Sequence, residues 1–339
     1  MVRKPLLVLA SGLGAVALLA SCASGDSTAA EPGTGDDTIT VEHALGTTEI
    51  PANVERVATV GWGNHDVALA LGVAPVGVDD QTWSMDNSDG LGLYEWSLDA
   101  YGELGADEPV VFSTADGIDF EAIADSAPDL ILAGYSGLTE EEYATLSDIA
   151  PVVAYPEVPW YTPWRETIRI DSEGLGKAEE GLALIDDLDA QIEEAVAAEP
   201  AIEGKTAAFF FINAADLSTL SVYATGDSRT AFLGDLGFEF PQVALDAAEE
   251  GSFYADISAE NIDQLADVDV IVSYGDDSML PALQADPLWS TLPAVQNGAV
   301  VTVGLGDDFS GAVTPTALSI PWMLEDYVAL LGDAAAKAE

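Results

Sequence analysis

Residues 171–199 read DSEGLGKAEEGLALIDDLDAQIEEAVAAE, a stretch without proline in which Leu182, Ile185, Leu188, Ile192 and Val196 recur at spacings of three and four. That is the stripe of an amphipathic helix, and the spacing predicts one long helix across the whole stretch. On each side of it the chain runs through short apolar segments alternating with helical patterns. Upstream, RVATVGW (56–62) ends in a strand-like run and HDVALALG has helical spacing. VAPVGV, EPVVF, the helical FEAIADSA, DLILAG and PVVAY follow. Downstream, KTAAFFFI (205–212) leads to the helical SRTAFLGDLG and AENIDQLA, the strands DVIVSY and AVVTV, and the helical TALSIPWMLEDYVALL. Strand, helix, strand order implies a parallel sheet. The prediction is an α/β chain of two lobes, 41–170 and 201–339, joined by a single helix at 171–200.

A weak internal repeat supports two lobes. EAIADSAPDLILAGY from Glu121 and ENIDQLADVDVIVSY from Glu260 share the glutamate, an Ile two later, an Ala six later, then Asp, an apolar strand and a tyrosine, Tyr135 or Tyr274. Ligands of open α/β sheets sit beyond the carboxyl ends of strands. Both tyrosines therefore fall where two lobes would face one cleft.

The amino end is a leader. Arg3 and Lys4 precede an apolar run to Leu19, and small residues follow up to Cys22, the sole cysteine. Leu19-Ala20-Ser21-Cys22 is similar to a bacterial lipobox, which makes 1–21 a signal peptide and Cys22 a lipid anchor; the alternative is an ordinary secretory signal cleaved near Ala23. Residues 22–40 are small, polar and interrupted by Pro and Gly, a flexible tether. The mature chain has no second cysteine for a disulfide or thiolate site, so a packed core must stabilise it. Loss of Arg3 and Lys4 takes the formal charge from -51 to -53. A surface so acidic repels nucleic acid and anionic lipid, and screening in a salty habitat would make it tolerable.

Catalytic arrangements are sparse. The chain has two histidines, His43 and His65, and lacks a P-loop, a Gly-x-Ser-x-Gly elbow and paired-histidine zinc spacing. His65 opens a helix beside Trp62 and Asn64, where it is either a cleft and capping residue or a general base without a nucleophile. The acid pairs at 79–80, 276–277 and 307–308 do not follow an EF-hand pattern and read as solvated surface. Aromatic residues carry more. Trp62, Trp83, Tyr94, Trp96, Tyr135, Trp160, Tyr161, Trp164, Tyr223, Tyr254 and Tyr274 fall largely in loops and strand ends. About half would cover core edges, and the rest would line a cleft for a partly apolar ligand. Of the few basic residues, Arg229 starts a helix behind a strand end, where it would meet an anionic ligand or pair with a nearby acid. Arg165 and Arg169 would face the cleft or cap the bridging helix.

VERVATVGWGNHDVALALGVAPVGV, FEAIADSAPDLILAG, FYADISAENIDQLADVDVIV and DPLWSTLPAVQNGAVVTV resemble, in order and spacing, the iron-siderophore substrate-binding lipoproteins of ABC importers, a class III family that includes cobalamin and haem binders. The resemblance spans about residue 50 to about residue 331. It implies two Rossmann-like lobes bridged by a rigid helix, little hinge closure, no enzymatic activity and no cofactor. It further implies a monomer tethered through Cys22 that passes a ferric siderophore to a permease dimer. Glu121 and Glu260, by motif position, would dock onto permease arginines. The scarcity of cleft arginines departs from catecholate binders and suits a neutral or weakly charged hydroxamate chelate. Haem, with His65 or a cleft tyrosine as axial ligand, is the other ligand reading.

Overall fold

The structure, a computed structural model, describes residues 38–81, 91–113, 117–249 and 251–338. Cys22, the leader and Trp83 lie outside the described residues. The tether read at 22–40 ends before Thr38, because Ile39 and Val41 alternate inward and draw the chain into a hairpin. Strands β1 (Thr38–His43) and β2 (Gly46–Pro51) pair antiparallel, with Thr38 opposite Pro51 and Thr40 opposite Glu49.

The first lobe is a parallel sheet of β3 (Val57–Thr59), β4 (Gly77–Asp79), β5 (Val110–Phe112), β6 (Leu130–Ala133) and β7 (Val152–Ala154), in the order β5-β4-β3-β6-β7. The chain winds outward from β3 in both directions, so the gap beyond the carboxyl ends of β3 and β6 is a topological switch point where a crevice opens. The second lobe contains β8 (Ala207–Asn213), β9 (Asp216–Tyr223), β10 (Tyr254–Ser258), β11 (Val270–Ser273) and β12 (Val300–Thr302), in the order β10-β9-β8-β11-β12. Here β8, β11 and β12 are parallel, whereas β9 and β10 are antiparallel additions at one edge. Neither of the two has a counterpart in the sequence analysis, because DLSTLSVY and YADIS mix exposed Ser, Thr and Asp with few buried residues.

The internal repeat is structural. Asp129 accepts hydrogen bonds from the Glu55 and Arg56 amides at 2.9 and 2.8 Å, pinning the entry to β3. Asp269 accepts one from the Thr206 amide at 3.0 Å, pinning the entry to β8 in the same way. The two glutamates open unlike turns: Glu121 lies in an α-helix, Phe120–Asp125, and Glu260 in a 3₁₀ segment, Ala259–Leu265, kinked at Asn261.

The bridge is shorter than the single helix predicted for 171–200, although it contains the whole apolar stripe. One helix, Trp164–Gly174, ends before Gly176, which takes the left-handed φ of +68°, and a second, Ala178–Ala198, makes the bridge. Gly174 and Gly176 are poor interior helix residues, and the reversal lets Gly181 close onto Ser172, where a β-carbon would sit 2.1 Å from the hydroxyl. Leu188 and Ile192 are buried and Ile185 and Val196 partly so, but Leu182 is exposed.

One apolar cluster runs through both lobes, from Trp62, Tyr94 and Trp96, past Trp164 and Leu188, to Phe209, Val272 and Tyr327. The carboxy-terminal segment closes it from behind. The Trp62 indole donates to the Thr314 carbonyl at 3.2 Å, and Thr316 Oγ1 donates to Asp66 Oδ2 at 2.5 Å. Residues 314–316, placed by sequence in the second lobe, thus bond to the first. Asp66 is 1 % exposed and also accepts from Trp96 Nε1 at 2.8 Å and Ser97 Oγ at 2.7 Å. Asp66→Ala strands three buried donors and is expected to lower stability by about 3–5 kcal/mol in urea unfolding, against about 1 kcal/mol for Thr316→Ser. Both lobes should still unfold in one transition, because they share that cluster.

Candidate ligand-binding site

The loop after β3 sets the cleft. Gly61 has φ +93°, and a β-carbon there would lie 2.4 Å from the Tyr135 carbonyl oxygen, so only glycine lets the loops after β3 and β6 meet. Its amide donates to Asp79 Oδ2 at 2.6 Å, and its carbonyl accepts from Gln81 Nε2 at 3.1 Å. Asn64 completes the clamp. Its amide group donates to the Val60 and Tyr135 carbonyls at 2.9 and 3.2 Å, and its Oδ1 accepts from the Tyr135 amide at 2.9 Å. Held in this way, Trp62 faces the gap between the lobes.

A cavity of about 320 Å³ lies in that gap, with Trp62, Tyr135 and Trp160 on one side and Tyr223, Arg229, Phe253 and Thr314 on the other. The Tyr135 hydroxyl meets Ser228 Oγ at 3.0 Å, a hydrogen bond from lobe to lobe. Trp160 stands edge-on to Tyr135, ring centres 5.6 Å apart, and packs over Gly137, where a β-carbon would collide with the indole nitrogen. Arg229, 7 % exposed, forks onto the buried Asp227, Nε to Oδ1 at 2.8 Å and the second guanidinium nitrogen to Oδ2 at 2.7 Å. It also donates to the Tyr274 hydroxyl at 3.2 Å and lies 3.7 Å from the centre of the Tyr223 ring. Burial pulls its pKa down, but Asp227 and the tyrosines outweigh that pull and hold it well above the usual value. Burial likewise lifts the Tyr135 phenol and pushes Tyr223 up to about 12. At neutral pH the walls are protonated phenols, aromatic faces and one cation whose charge is already matched.

A second cavity, of about 350 Å³, opens beside the first and shares Trp62 and Trp160 with it. Asp79, Asp80, Gln81, Ser136 and Glu142 are among its walls. By sequence, the acid pair Asp79-Asp80 reads as solvated surface. Asp79 is instead 7 % exposed at the end of β4, because the Gly61 amide draws it under the loop. Burial raises its pKa to about 7 against the lowering effect of that hydrogen bond, with Asp80 adding to the rise. The other pairs fit the surface reading better: Asp276 and Asp277 are exposed, and Asp307 is an exposed cap of a short helix.

The comparisons with known proteins agree with this architecture. The periplasmic binding protein family matches residues 57–304. The chain belongs to that family. PiaA of Streptococcus pneumoniae TIGR4, solved in complex with ferrichrome, is 44% identical with a TM-score of 0.85 over 89% of this chain and 100% of its own. A periplasmic solute binding protein from Mycobacterium smegmatis is 28% identical with a TM-score of 0.73, over 88% of this chain and 99% of its own. The probable siderophore-binding lipoprotein YfiY of Bacillus subtilis (strain 168) is 28% identical over 307 residues, 87% of this chain and 89% of its own.

Within this family fold the residues singled out by sequence divide. Trp62, Tyr135, Trp160, Tyr223 and Arg229 share the interlobe cavity. Asn64 is fully buried in the loop clamp and lines neither cavity. His65 is buried too, its Nε2 3.0 Å from Ser97 Oγ, and burial lowers its pKa, so it is neutral and out of reach of a cleft ligand. Tyr94 and Trp96 stack on each other in the core at 4.5 Å. Arg165 is drawn away by Asp189 and Asp235 at 2.5 and 2.8 Å and ties the first helix of the pair to the bridging helix. Arg169 pairs with Glu166 and Glu173 on its own helix. Tyr161 packs against Gly226 outside both cavities, Tyr254 is exposed on the edge strand β10, and Tyr274 borders the site through Arg229. Phe253 and Thr314 are lining residues that the sequence analysis does not select. Phe253 immediately precedes the unread edge strand β10, and Thr314 reaches the site through the crossing of the carboxy-terminal segment.

Asp79 also gives a pH signature. Its pKa is higher in the folded chain than the ordinary carboxyl value, so the folded state holds more protons than the unfolded between about pH 4 and pH 7. Its contribution to stability therefore falls as pH rises through that window. The buried Asp171, also raised by burial, acts in the same direction. Asp79→Asn is expected to flatten the decline in thermal midpoint between pH 5 and pH 8, measured by circular dichroism.

Proposed function

We propose that the protein is an extracytoplasmic binding protein that captures a ferric siderophore and delivers it to an ABC importer for iron uptake. The observation that carries the reading is the interlobe cavity, where Trp62, Trp160, Tyr223 and Phe253 surround one charge-matched arginine. Aromatic faces bury the apolar periphery of a chelate, and the Tyr135 and Tyr223 phenols with Arg229 supply donors for its oxygens. PiaA, similar over its full length, is known with ferrichrome bound, and YfiY carries a siderophore-binding name. Iron stays with its chelator, since phenols held protonated are poor ferric ligands. A trianionic catecholate would meet one guanidinium already engaged by Asp227, which favours neutral hydroxamates. Haem is disfavoured by the burial of His65 away from both cavities.

Delivery follows from tethering and docking. Cys22 is the lipid anchor in this reading, and the protein works as a monomer at the outer membrane face. Glu121 and Glu260 are exposed at the first turns of corresponding segments, one on each lobe, suited to arginines on a two-fold permease. The shared core between lobes favours presentation of the loaded cleft with little hinge motion.

Titration of the chain from Ala23 by intrinsic tryptophan fluorescence tests the ligand. Ferrichrome should quench saturably through Trp62 and Trp160, Trp62→Leu should weaken binding by about tenfold or more, and a ferric tris-catecholate should bind at least about tenfold more weakly than ferrichrome. Quenching by haemin alone would overturn the reading. The Glu121→Ala/Glu260→Ala double variant should keep ferrichrome affinity within about twofold while losing iron uptake in cells, because exposed carboxylates that line neither cavity contribute to docking rather than to capture.

A further inference from the structure

A neutral chelate leaves the acidic cavity beside Trp62 and Trp160 without a purpose. Three carboxylates, Asp79, Asp80 and Glu142, stand on its wall. Across the indoles, the guanidinium of Arg229 is matched by Asp227, so the combined cleft carries net negative charge. Asp79 is 7 % exposed and lines the cavity, and only its Oδ2 has a hydrogen-bond partner among the described residues, the Gly61 amide. The other oxygen is not closed off from the cavity, so an incoming cation can donate to it.

We propose that this annex receives a cationic arm, an ammonium or guanidinium on the periphery of the chelate, so that the cleft selects ferric hydroxamates bearing such an arm over their uncharged counterparts. The proposal rests on the siderophore reading above and adds the class of chelate. The iron centre of the ligand stays in the interlobe cavity among Tyr135, Tyr223 and Phe253, and the arm passes between Trp62 and Trp160, whose ring faces favour a cation. Gln81 and Ser136 offer polar contacts for its remaining protons. Glu142 keeps one oxygen on the Thr139 amide and hydroxyl, both at 2.8 Å, as the capping partner of the helix Glu140–Ser147. Its other oxygen takes no part in that cap.

The experiment is a calorimetric titration of the full chain in detergent with three iron complexes: ferrichrome, which is neutral; ferrioxamine B, a trihydroxamate with a terminal primary amine; and the same complex with that amine acetylated. Ferrioxamine B should bind about tenfold or more tightly than its acetylated form, and the ratio should fall with added salt. It should also grow from pH 6 to pH 8 as Asp79 gives up its proton, with Asp80 and Glu142 the other titratable groups on the wall. Asp79→Asn should bring the ratio close to one, with the amide oxygen still able to accept from Gly61. Asp80→Asn/Glu142→Gln, which spares the Gly61 contact and retains a capping side chain, should reduce the ratio independently. A ratio near one in the unmutated protein, with ferrichrome bound, would overturn the annex and leave the siderophore reading intact. Failure of all three complexes to bind would overturn both.

Discussion

The two lobes share one apolar cluster, and the geometry of the cleft depends on that sharing. Trp62 belongs at once to the cluster, to the contact with Thr314 and to the cavity wall. Asp66 anchors the same region by collecting Trp96 and Ser97 from one helix and Thr316 from the carboxy-terminal segment, in a site almost closed to water. A carboxylate so buried is tolerable only with its donors in place. The crossing of the carboxy-terminal segment is therefore a structural requirement, and with it the spacing of the cleft walls. Interiors are close-packed and transmit displacement poorly as smooth bending, so lobes welded in this way hold a preformed cavity.

Charge is distributed with the same economy. The chain is strongly acidic, yet the interlobe cavity is lined by aromatic rings, raised phenols and a guanidinium neutralised by Asp227. Such a wall discriminates by shape and hydrogen bonding more than by net charge. The carboxylates lie one step away, behind Trp62 and Trp160, where burial makes the charged state of Asp79 costly until a cation arrives. The two compartments divide recognition between a neutral core of the ligand and any charged periphery.

Buried strands with dense apolar runs were legible in the sequence: DLILAG, PVVAY and DVIVSY all form parallel-paired strands. The antiparallel strands were not, because β9 and β10 present a solvated face and lack a continuous apolar signal. The stripe in 171–199 marked a helical region but not its break, since Gly174 and Gly176 matter only when the helix must fold back beside Ser172. In the site, five of the selected residues converge, whereas Asn64, His65, Tyr94 and Trp96 turn inward. Residue type placed them near the cleft, but the direction of a side chain depends on neighbours far away in the chain.

By itself, the sequence determined the α/β class, the two-lobe duplication, the region of the bridge and the aromatic character of the cleft. These follow from local periodicity and residue chemistry, which survive without knowledge of distant contacts. Only the tertiary structure decided which aromatics face the ligand, that Arg229 is spent on Asp227, that Thr314 and Phe253 join the wall, and that Asp79 is buried rather than solvated. Apart from the Arg229–Asp227 pair, whose partners are two residues apart but whose burial is set by the fold, those outcomes depend on contacts between segments tens to hundreds of residues apart, where burial and hydrogen-bond partners, not residue type, determine what a side chain does.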